Sequence, residues 1–304
     1  MSASLPAPAD VAVLHDSLLR WYAVHSRPLP WREPGCSPWG VLLSEVMSQQ
    51  TPIARVEPIW REWMQRWPTP GDLARESPGE VVRAWGRLGY PRRALRLHES
   101  ATVIADRHGG VVPRDQAELR ALPGIGDYTA AAVAAFAFGD RSVVVDTNVR
   151  RVEARIVSGL AQAAPALTRA EVALAEALLP EDDDDASTWN VAVMELGALV
   201  CTARAPRCGD CPVSGGCAWL LAGRPAHDGP VRRGQAWHGT DRQVRGAILQ
   251  TLRERPGAVP RPELAPMHED SQVDRCLGGL IEDGLVEPVG ADRYALPGLT
   301  EASA

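Results

Sequence analysis

The sequence lacks what would place it in or across a membrane. No stretch approaches about 18 consecutive apolar residues. The opening MSASLPAPADVAV has no basic segment followed by an apolar one, so no secretory signal is expected. Spanning and secretion are excluded on this reading, no membrane partner is expected, and the cytoplasm is the expected compartment. Long runs of positive charge are missing too. The formal net charge is −6, so composition alone points to no nucleic-acid partner, and such a partner would have to be met by locally placed cations. Strand-like runs are scarce through the first two thirds; RSVVVD is the best and is short. Six cysteines are present but unevenly spread: Cys36 and Cys276 stand alone, while Cys201, Cys208, Cys211 and Cys217 crowd into 17 positions. Without a secretory signal, that crowding reads as a metal site before it reads as disulfides.

What is present is helical periodicity and enough apolar residues, 45% of the chain, for a packed core. PADVAVLHDSLLRWYAVH, WGVLLSEVMSQQ, IARVEPIWREWMQRW, SPGEVVRAWGRL, RRALRLHESATVIADRH, DQAELRAL, NVRRVEARIVSGL, RAEVALAEALL and STWNVAVMELGALVC each repeat apolar residues at helical spacing. With the small-residue stretch TAAAVAAFAFG they predict an all-α body of roughly ten short helices. The acidic run Glu181 to Asp185 reads as a solvated loop. Residues 226–238 have the Gly, Pro and polar content of a linker. Beyond it, TDRQVRGAILQTLRERPG, RPELAPM and DSQVDRCLGGLIEDG read as three helices, and GLVEPVGADRYAL as a β-hairpin. That is an α+β winged-helix pattern over 239–304.

Leu122-Pro123-Gly124-Ile125-Gly126 joins two helices through a turn too tight for side chains. Glycine accepts positive φ and lets another backbone come close, and the N–H groups at the start of the next helix suit a phosphate oxygen. Arg83, Arg87, Arg92, Arg93 and Arg96 upstream, and Arg141, Arg150, Arg151 and Arg155 downstream, read as local cationic patches of the kind that phosphate contacts need. Glu45 sits among Val41, Leu42, Leu43, Val46 and Met47; apolar walls around it would raise its pKa and keep a proton available. Asp146 precedes TNVRRV and can cap that helix. Four thiolates in one compact loop suit zinc or an iron-sulfur cluster equally by spacing.

The segments RPLPWR, SEVMSQQT, GRLGYPRRALRLH, LPGIGDYTAAAV, VVDTNVRRV and MELGALVCTARAPRCGDCP, with the final Cys217, resemble the endonuclease III-like group of helix-hairpin-helix DNA glycosylases. More narrowly they resemble the MutY-type adenine DNA glycosylases, in a short form. They fall in family order over residues 20–220. The resemblance implies a two-lobed glycosylase domain over 1–225: a six-helix lobe at about 30–143, carrying the hairpin, and a cluster lobe from 1–29 with 144–225. It implies a 4Fe-4S cluster on the four cysteines, serving structure and DNA positioning, with Arg204 and Arg207 near phosphate. The implied partner is double-stranded DNA bearing adenine opposite 8-oxoguanine or guanine, bound by a monomer.

The same resemblance implies residue roles. Glu45 protonates the leaving adenine, and Asp146 stabilises the positive charge on the sugar, through electrostatics or a covalent intermediate. Tyr128 holds the place where strand-cleaving relatives have a lysine; a phenol forms no imine, so a monofunctional enzyme is expected, with Tyr128 and Asn148 orienting Asp146 and water. Gln49, Gln50 and Thr51 resemble the segment that meets the opposite base, Tyr90 the aromatic wedge, and Leu122, Gly124 and Gly126 the phosphate-binding hairpin. Arg27, Trp31 and Arg32 resemble the entry to the adenine pocket. Ser48 and Pro91 depart from the usual Leu and Tyr, which either weakens the grip on the lesion strand or shifts it to Tyr90 and Gln50, and the spacing from Arg32 to Glu45 is one residue longer. The chain is too short for a full Nudix-like domain. The winged-helix region either holds duplex through Arg242, Arg245, Arg253 and Arg275, or contacts a protein, or caps the fold. The alternatives in function are a thymine or uracil mismatch glycosylase on the same body, and a non-enzymatic iron-sulfur DNA-binding regulator.

Overall fold

A computed structural model describes residues 8–227, 229 and 237–299, so that 228 and 230–236 of the expected linker lie outside the described residues. Along the chain run α1 Pro8–His25, α2 Pro38–Ser48, α3 Ile53–Arg66, α4 Pro70–Ala74, α5 Pro78–Trp85, α6 Arg92–Arg107, α7 Gln116–Ala121, α8 Asp127–Phe138, α9 Thr147–Ile156, α10 Arg169–Leu178, α11 Asp183–Leu199 and α12 Ala218–Leu221. Then come α13 Asp241–Glu254, β1 Val259–Pro260, α14 Asp270–Glu282, β2 Glu287–Pro288 and β3 Arg293–Ala295. Local signals start these helices. Ser37 and Ser77 cap α2 and α5, each with proline in the first turn, and Thr69 and Thr168 close reciprocal capping boxes with Asp72 and Glu171. No described helix is long and apolar enough to cross a membrane.

The chain forms two compact units: Met1–Cys36, Arg114–Ala117 and Gly126–Val231 in one, Ser37–Pro113, Glu118–Ile125 and Arg232–Ala304 in the other. In the first, α1, α9, α10 and α11 enclose Leu18, Val152, Leu178, Trp189, Val193 and Leu196. RSVVVD does not become a strand. Its alternation instead serves two cores: Val144 is buried among the alanines of α8, while Val143 and Val145 pack on the α1/α9/α11 cluster. With no partner strand, side chains hold its backbone, Asn190 Nδ2 donating to Ser142 O at 2.9 Å. The acidic run is not a loop either. Asp182 caps α11 and Asp183, Asp184 and Asp185 form its first turn, where negative charge meets the positive end of the helix dipole.

In the second unit, Trp63 packs edge-on against Trp67 and Trp85, with ring centroids 4.9 and 5.7 Å away. The C-terminal region is built as expected from α13, α14 and the β2/β3 hairpin, with β1 added on the other side of β3 in the order β1-β3-β2, all antiparallel. RPELAPM, expected as a helix, gives only a 3-10 turn at Arg261–Glu263. Pro266 disfavours the helical region for Ala265, which adopts φ +50°. This region packs on α5 and α6. A Cβ at Gly79 would lie 2.5 Å from Pro297 O, Arg253 Nε donates to Val82 O at 3.0 Å, and Arg92 pairs with Asp283 at 3.1 Å. Burial, then the nearby charge of Arg87, lowers the Arg253 guanidinium to about 10.

Candidate active site and cluster loop

Asp146 caps α9. Its Oδ1 accepts from Asn148 N at 2.8 Å and Val149 N at 2.7 Å, and its Oδ2 accepts from Asn148 Nδ2 at 2.7 Å. The Asn148 amide is itself oriented, because Arg151 Nη2 donates to Asn148 Oδ1 at 2.7 Å. Burial pushes the Asp146 carboxyl up and the three N–H donors pull it down; it ends above the ordinary carboxylate range. Tyr128, on the first turn of α8, lies partly buried against Ala131, Ala132 and Val144.

Arg27, Trp31 and Arg32 belong to the same unit as Asp146, and the sequence reading missed what joins two of them. Glu195 on α11 is fully buried. It accepts from Arg27 Nε and Nη2, both at 2.7 Å, and from Arg32 Nη1 at 3.1 Å. Burial alone would raise this carboxyl, but the two guanidinium groups hold it below its ordinary value. Trp31 is buried beside them in a 3-10 turn. A glutamate inside the apolar run WNVAVMELGAL was the available signal: a charge there needs paired cations.

Glu45 lies in the other unit, half-buried on α2, where Val41, Leu42, Leu43, Val46 and Met47 are all buried, as the sequence predicted. Two tight loops follow from α2 and α5. Gln50 and Tyr90 both have positive φ, +53° and +47°, an uncommon conformation for non-glycine residues. Arg93 clamps them. Its Nη1 donates to Val46 O at 2.7 Å at the end of α2, and its Nη2 donates to Thr51 Oγ1 at 3.2 Å and Gly89 O at 3.1 Å. Thr51, expected to meet DNA, is buried and donates its hydroxyl to Leu88 O at 2.9 Å; it holds the loops together from inside. Gln49 lines a cavity of about 250 Å³ with Arg93, Arg96 and Gly124.

The hairpin divides the roles of its two glycines. Gly124 has φ +78°, and a Cβ there would come 2.7 Å from Arg96 Cβ. Gly126 has extended φ −99° and open space beside it; it is the N-cap of α8, which no side chain caps. Leu122 is a core residue. The arginines read as phosphate contacts are mostly spent inside the protein. Arg141 donates to Pro180 O, Arg150 pairs with Glu171, Arg151 and Arg155 bond Cys201 O, and Arg83 pairs with Glu80. Arg87, Arg92 and Arg96 meet Gln250, Asp283 and Glu99. Carbonyls and carboxylates of the chain itself compete for the guanidinium fork, a competition that patch counting does not see.

Cys201, Cys208, Cys211 and Cys217 line one void with apolar walls that include Ile156, Leu196, Val200 and Trp219. Among the described residues, no three His, Cys, Asp or Glu side chains are placed to hold a single metal ion. Thiols ringed around a space suit a multi-iron cluster better than one zinc ion. Burial, then repulsion from the other three cysteines, raises the Cys211 thiol to about 11, so a thiolate there requires a cationic centre beside it. Arg155 reaches this loop, Nη1 lying 3.3 Å from Cys201 Sγ. Arg204 is exposed; Arg207 is turned to Leu199 O and Asp210.

Comparison with known proteins agrees with this geometry. Residues 43–176 match the HhH-GPD superfamily of base excision DNA repair proteins, and 201–217 match the iron-sulfur binding domain of endonuclease III. An adenine DNA glycosylase of Mycobacterium tuberculosis is 55% identical over 97% of this chain and 98% of its own length. The chain belongs to the adenine DNA glycosylase family. Another member, from Mycolicibacterium smegmatis, is 55% identical over 92% of this chain and 95% of its own. A solved thermostable thymine-DNA glycosylase superposes with TM-score 0.62 at 27% identity, covering 70% of this chain and 98% of that one. The family's members are DNA glycosylases, and the cysteine loop of this one holds a 4Fe-4S cluster.

Proposed function

We propose that the chain, as a monomer, hydrolyses the N-glycosidic bond of adenine opposite 8-oxoguanine or guanine in double-stranded DNA, and leaves an abasic site without cutting the strand. Asp146 carries this reading: a carboxylate fixed at a helix N-cap by three N–H donors is pre-oriented to face the cationic sugar that forms as the base departs. Glu45, on its apolar helix, supplies the proton that turns adenine into a neutral leaving group. Tyr128 and Asn148 orient Asp146 and the attacking water. Gln49, Gln50 and Tyr90 meet the DNA around the extruded nucleotide, the hairpin at Gly124 and Gly126 takes phosphate, and Arg27, Trp31 and Arg32 border the adenine pocket.

The monofunctional outcome has support beyond Tyr128. The sequence contains no lysine; all 32 of its Lys and Arg residues are arginine, so no side chain can form a Schiff base. The likeness to a thymine-DNA glycosylase keeps a second reading, thymine or uracil excision from mismatches on the same body. Labelled duplexes holding adenine opposite 8-oxoguanine, adenine opposite guanine, and thymine or uracil opposite guanine separate the two. Adenine excision revealed only after alkali is the expected result. Glu45→Gln and Asp146→Asn should bind the duplex yet lose about 10²–10⁴-fold in single-turnover rate. Full turnover by either variant removes the role assigned to that residue.

A further inference from the structure

The C-terminal region was expected to hold duplex through Arg242, Arg245, Arg253 and Arg275, and three of these cations are committed elsewhere. Arg245 pairs with Asp283, Arg275 pairs with Asp241 at 2.7 Å, and the half-buried Arg253 donates to Val82 O. The helix that a winged-helix protein lays in the major groove would here be α14, which carries Asp270, Asp274, Glu282 and Asp283 at its ends and flank. Arg261 is likewise held by Asp270 and Asp274. Arg242 is different. It is exposed in the first turn of α13 and makes no hydrogen bond or ion pair among the described residues. Its guanidinium lies over two aromatic rings, 5.3 Å from the centroid of Tyr90 and 5.8 Å from that of Trp237.

Those rings are 48% and 50% exposed, among the few large apolar side chains left in solvent. Tyr90 is the loop residue at φ +47°, and Arg93 supports its ring from within at 5.5 Å. Strain of this kind persists where the surroundings enforce it, and it sets the ring outward beside Arg242. A guanidinium held over aromatic faces leaves its N–H fork free for a pair of acceptors, and the contact restricts the side chain and so lowers the entropy cost of fixing that fork. We propose that Arg242, lying over Tyr90 and Trp237, is a contact to duplex DNA, and that through it the C-terminal region joins the loop of Tyr90 in reading the substrate. The fork takes paired acceptor atoms of the duplex, either purine O6 and N7 or two phosphate oxygens. The inference rests on the proposed function for its occupant.

The test uses the full chain with its cluster, and duplexes carrying a hydrolysis-resistant 2′-fluoro-adenosine opposite 8-oxoguanine or guanine, titrated by anisotropy at several salt concentrations. Arg242→Met keeps an apolar stem over the rings and removes the donors; the expected loss in affinity is roughly ten- to a hundredfold, with an unchanged melting temperature. Arg275→Met, removing a cation already spent on Asp241, should stay within about twofold. A salt slope reduced by about one unit assigns the fork to phosphate; an unchanged slope with unequal losses on the two duplexes assigns it to a base edge. Should Arg242→Met melt early, Trp237→Ala is read instead, with an expected loss of roughly three- to tenfold. Wild-type affinity in Arg242→Met, or an equal loss in Arg275→Met, overturns the proposal. Unmodified adenine duplexes run in parallel keep the two readings apart: wild-type protein that excises no adenine refutes the proposed function even if Arg242→Met still weakens binding.

Discussion

Asp146 meets opposing demands at one residue. Desolvation favours its neutral form, whereas the three N–H groups at the start of α9 favour the charged form that a cationic sugar needs. Activity therefore falls on the acid side as Asp146 takes up a proton, at a pH above that of an ordinary aspartate. Asn148→Ala deletes one donor to the anion, so the acid limb of the pH–rate profile should move to higher pH, by about half to one unit. An unmoved limb denies Asn148 its orienting role. Glu153, one turn and a half along α9, is the opposite case. It is 4% exposed, its Oε2 has no hydrogen-bond partner among the described residues, and burial, then repulsion from Glu171 and Asp146, raises it to about 8. The folded state thus holds this proton more tightly than the unfolded chain does. The resulting stabilisation is complete below about pH 4.5 and is lost as the pH rises through 8, with a total on the order of a few kcal/mol. Glu153→Gln should melt like the wild type near pH 5 and clearly later near pH 9; parallel melting curves across that range would contradict it. The sequence showed Asp146 through its capping pattern, but Glu153 sits in VRRVEARIV as an unremarkable helical glutamate, and only the packing reveals what surrounds it.

Elements were legible where one physical signal decided them. The apolar period placed most helices, and the alternation around Gly-Ala-Asp placed the β2/β3 hairpin. Errors arose where a local pattern had two solutions. The period-two run RSVVVD can pair in a sheet or face two cores, and with no neighbouring strand it does the latter. An acidic run can be solvated or can start a helix, and here Asp182 to Asp185 do the second. The approach of α11 to α9 was also invisible, because it depends on an absent side chain. At Gly197 an added Cβ would lie 2.6 Å from Asn148 Cβ and 3.2 Å from Val152 Cγ2, and Gly197 O receives Arg151 Nη2 at 2.8 Å. Gly197→Ala must push the first turn of α9 outward, carrying Asn148 and the Asp146 cap with it. The expected cost is about 1–3 kcal/mol in denaturant unfolding, together with an excision rate at least tenfold lower. If the variant keeps wild-type turnover, the close approach does not position the site.

For the molecule as a whole, the four-cysteine loop has a task beyond closing the end of its unit. The family resemblance gave its ligands, and the structure supplies its connection to the chemistry. Arg151 bonds Cys201 O through Nε and Asn148 Oδ1 through Nη2, while Arg155 bonds Cys201 and Thr202 O and lies 4.7 Å over the Trp219 ring. The loop therefore fixes two arginines of α9, and one of them fixes the amide that holds Asp146. The cysteine spacing could not show this, because the partners are backbone carbonyls brought up by the fold rather than residues of complementary charge. Burial makes the Cys211 and Cys217 thiolates unfavourable without the cluster, so losing it should release the loop, then Arg151 and Arg155, then the α9 cap. Cys208→Ser should lose iron and the broad absorption near 400 nm. Hydrogen exchange should rise in α9 ahead of α1, and single-turnover excision should drop at least tenfold, because Asp146 loses its orienting amide. Melting alone would follow from any structural brace, whereas early exchange in α9 follows from the links that Arg151 and Arg155 make to the loop. A cluster-free variant that keeps α9 protected and excises adenine at the wild-type rate would break that link.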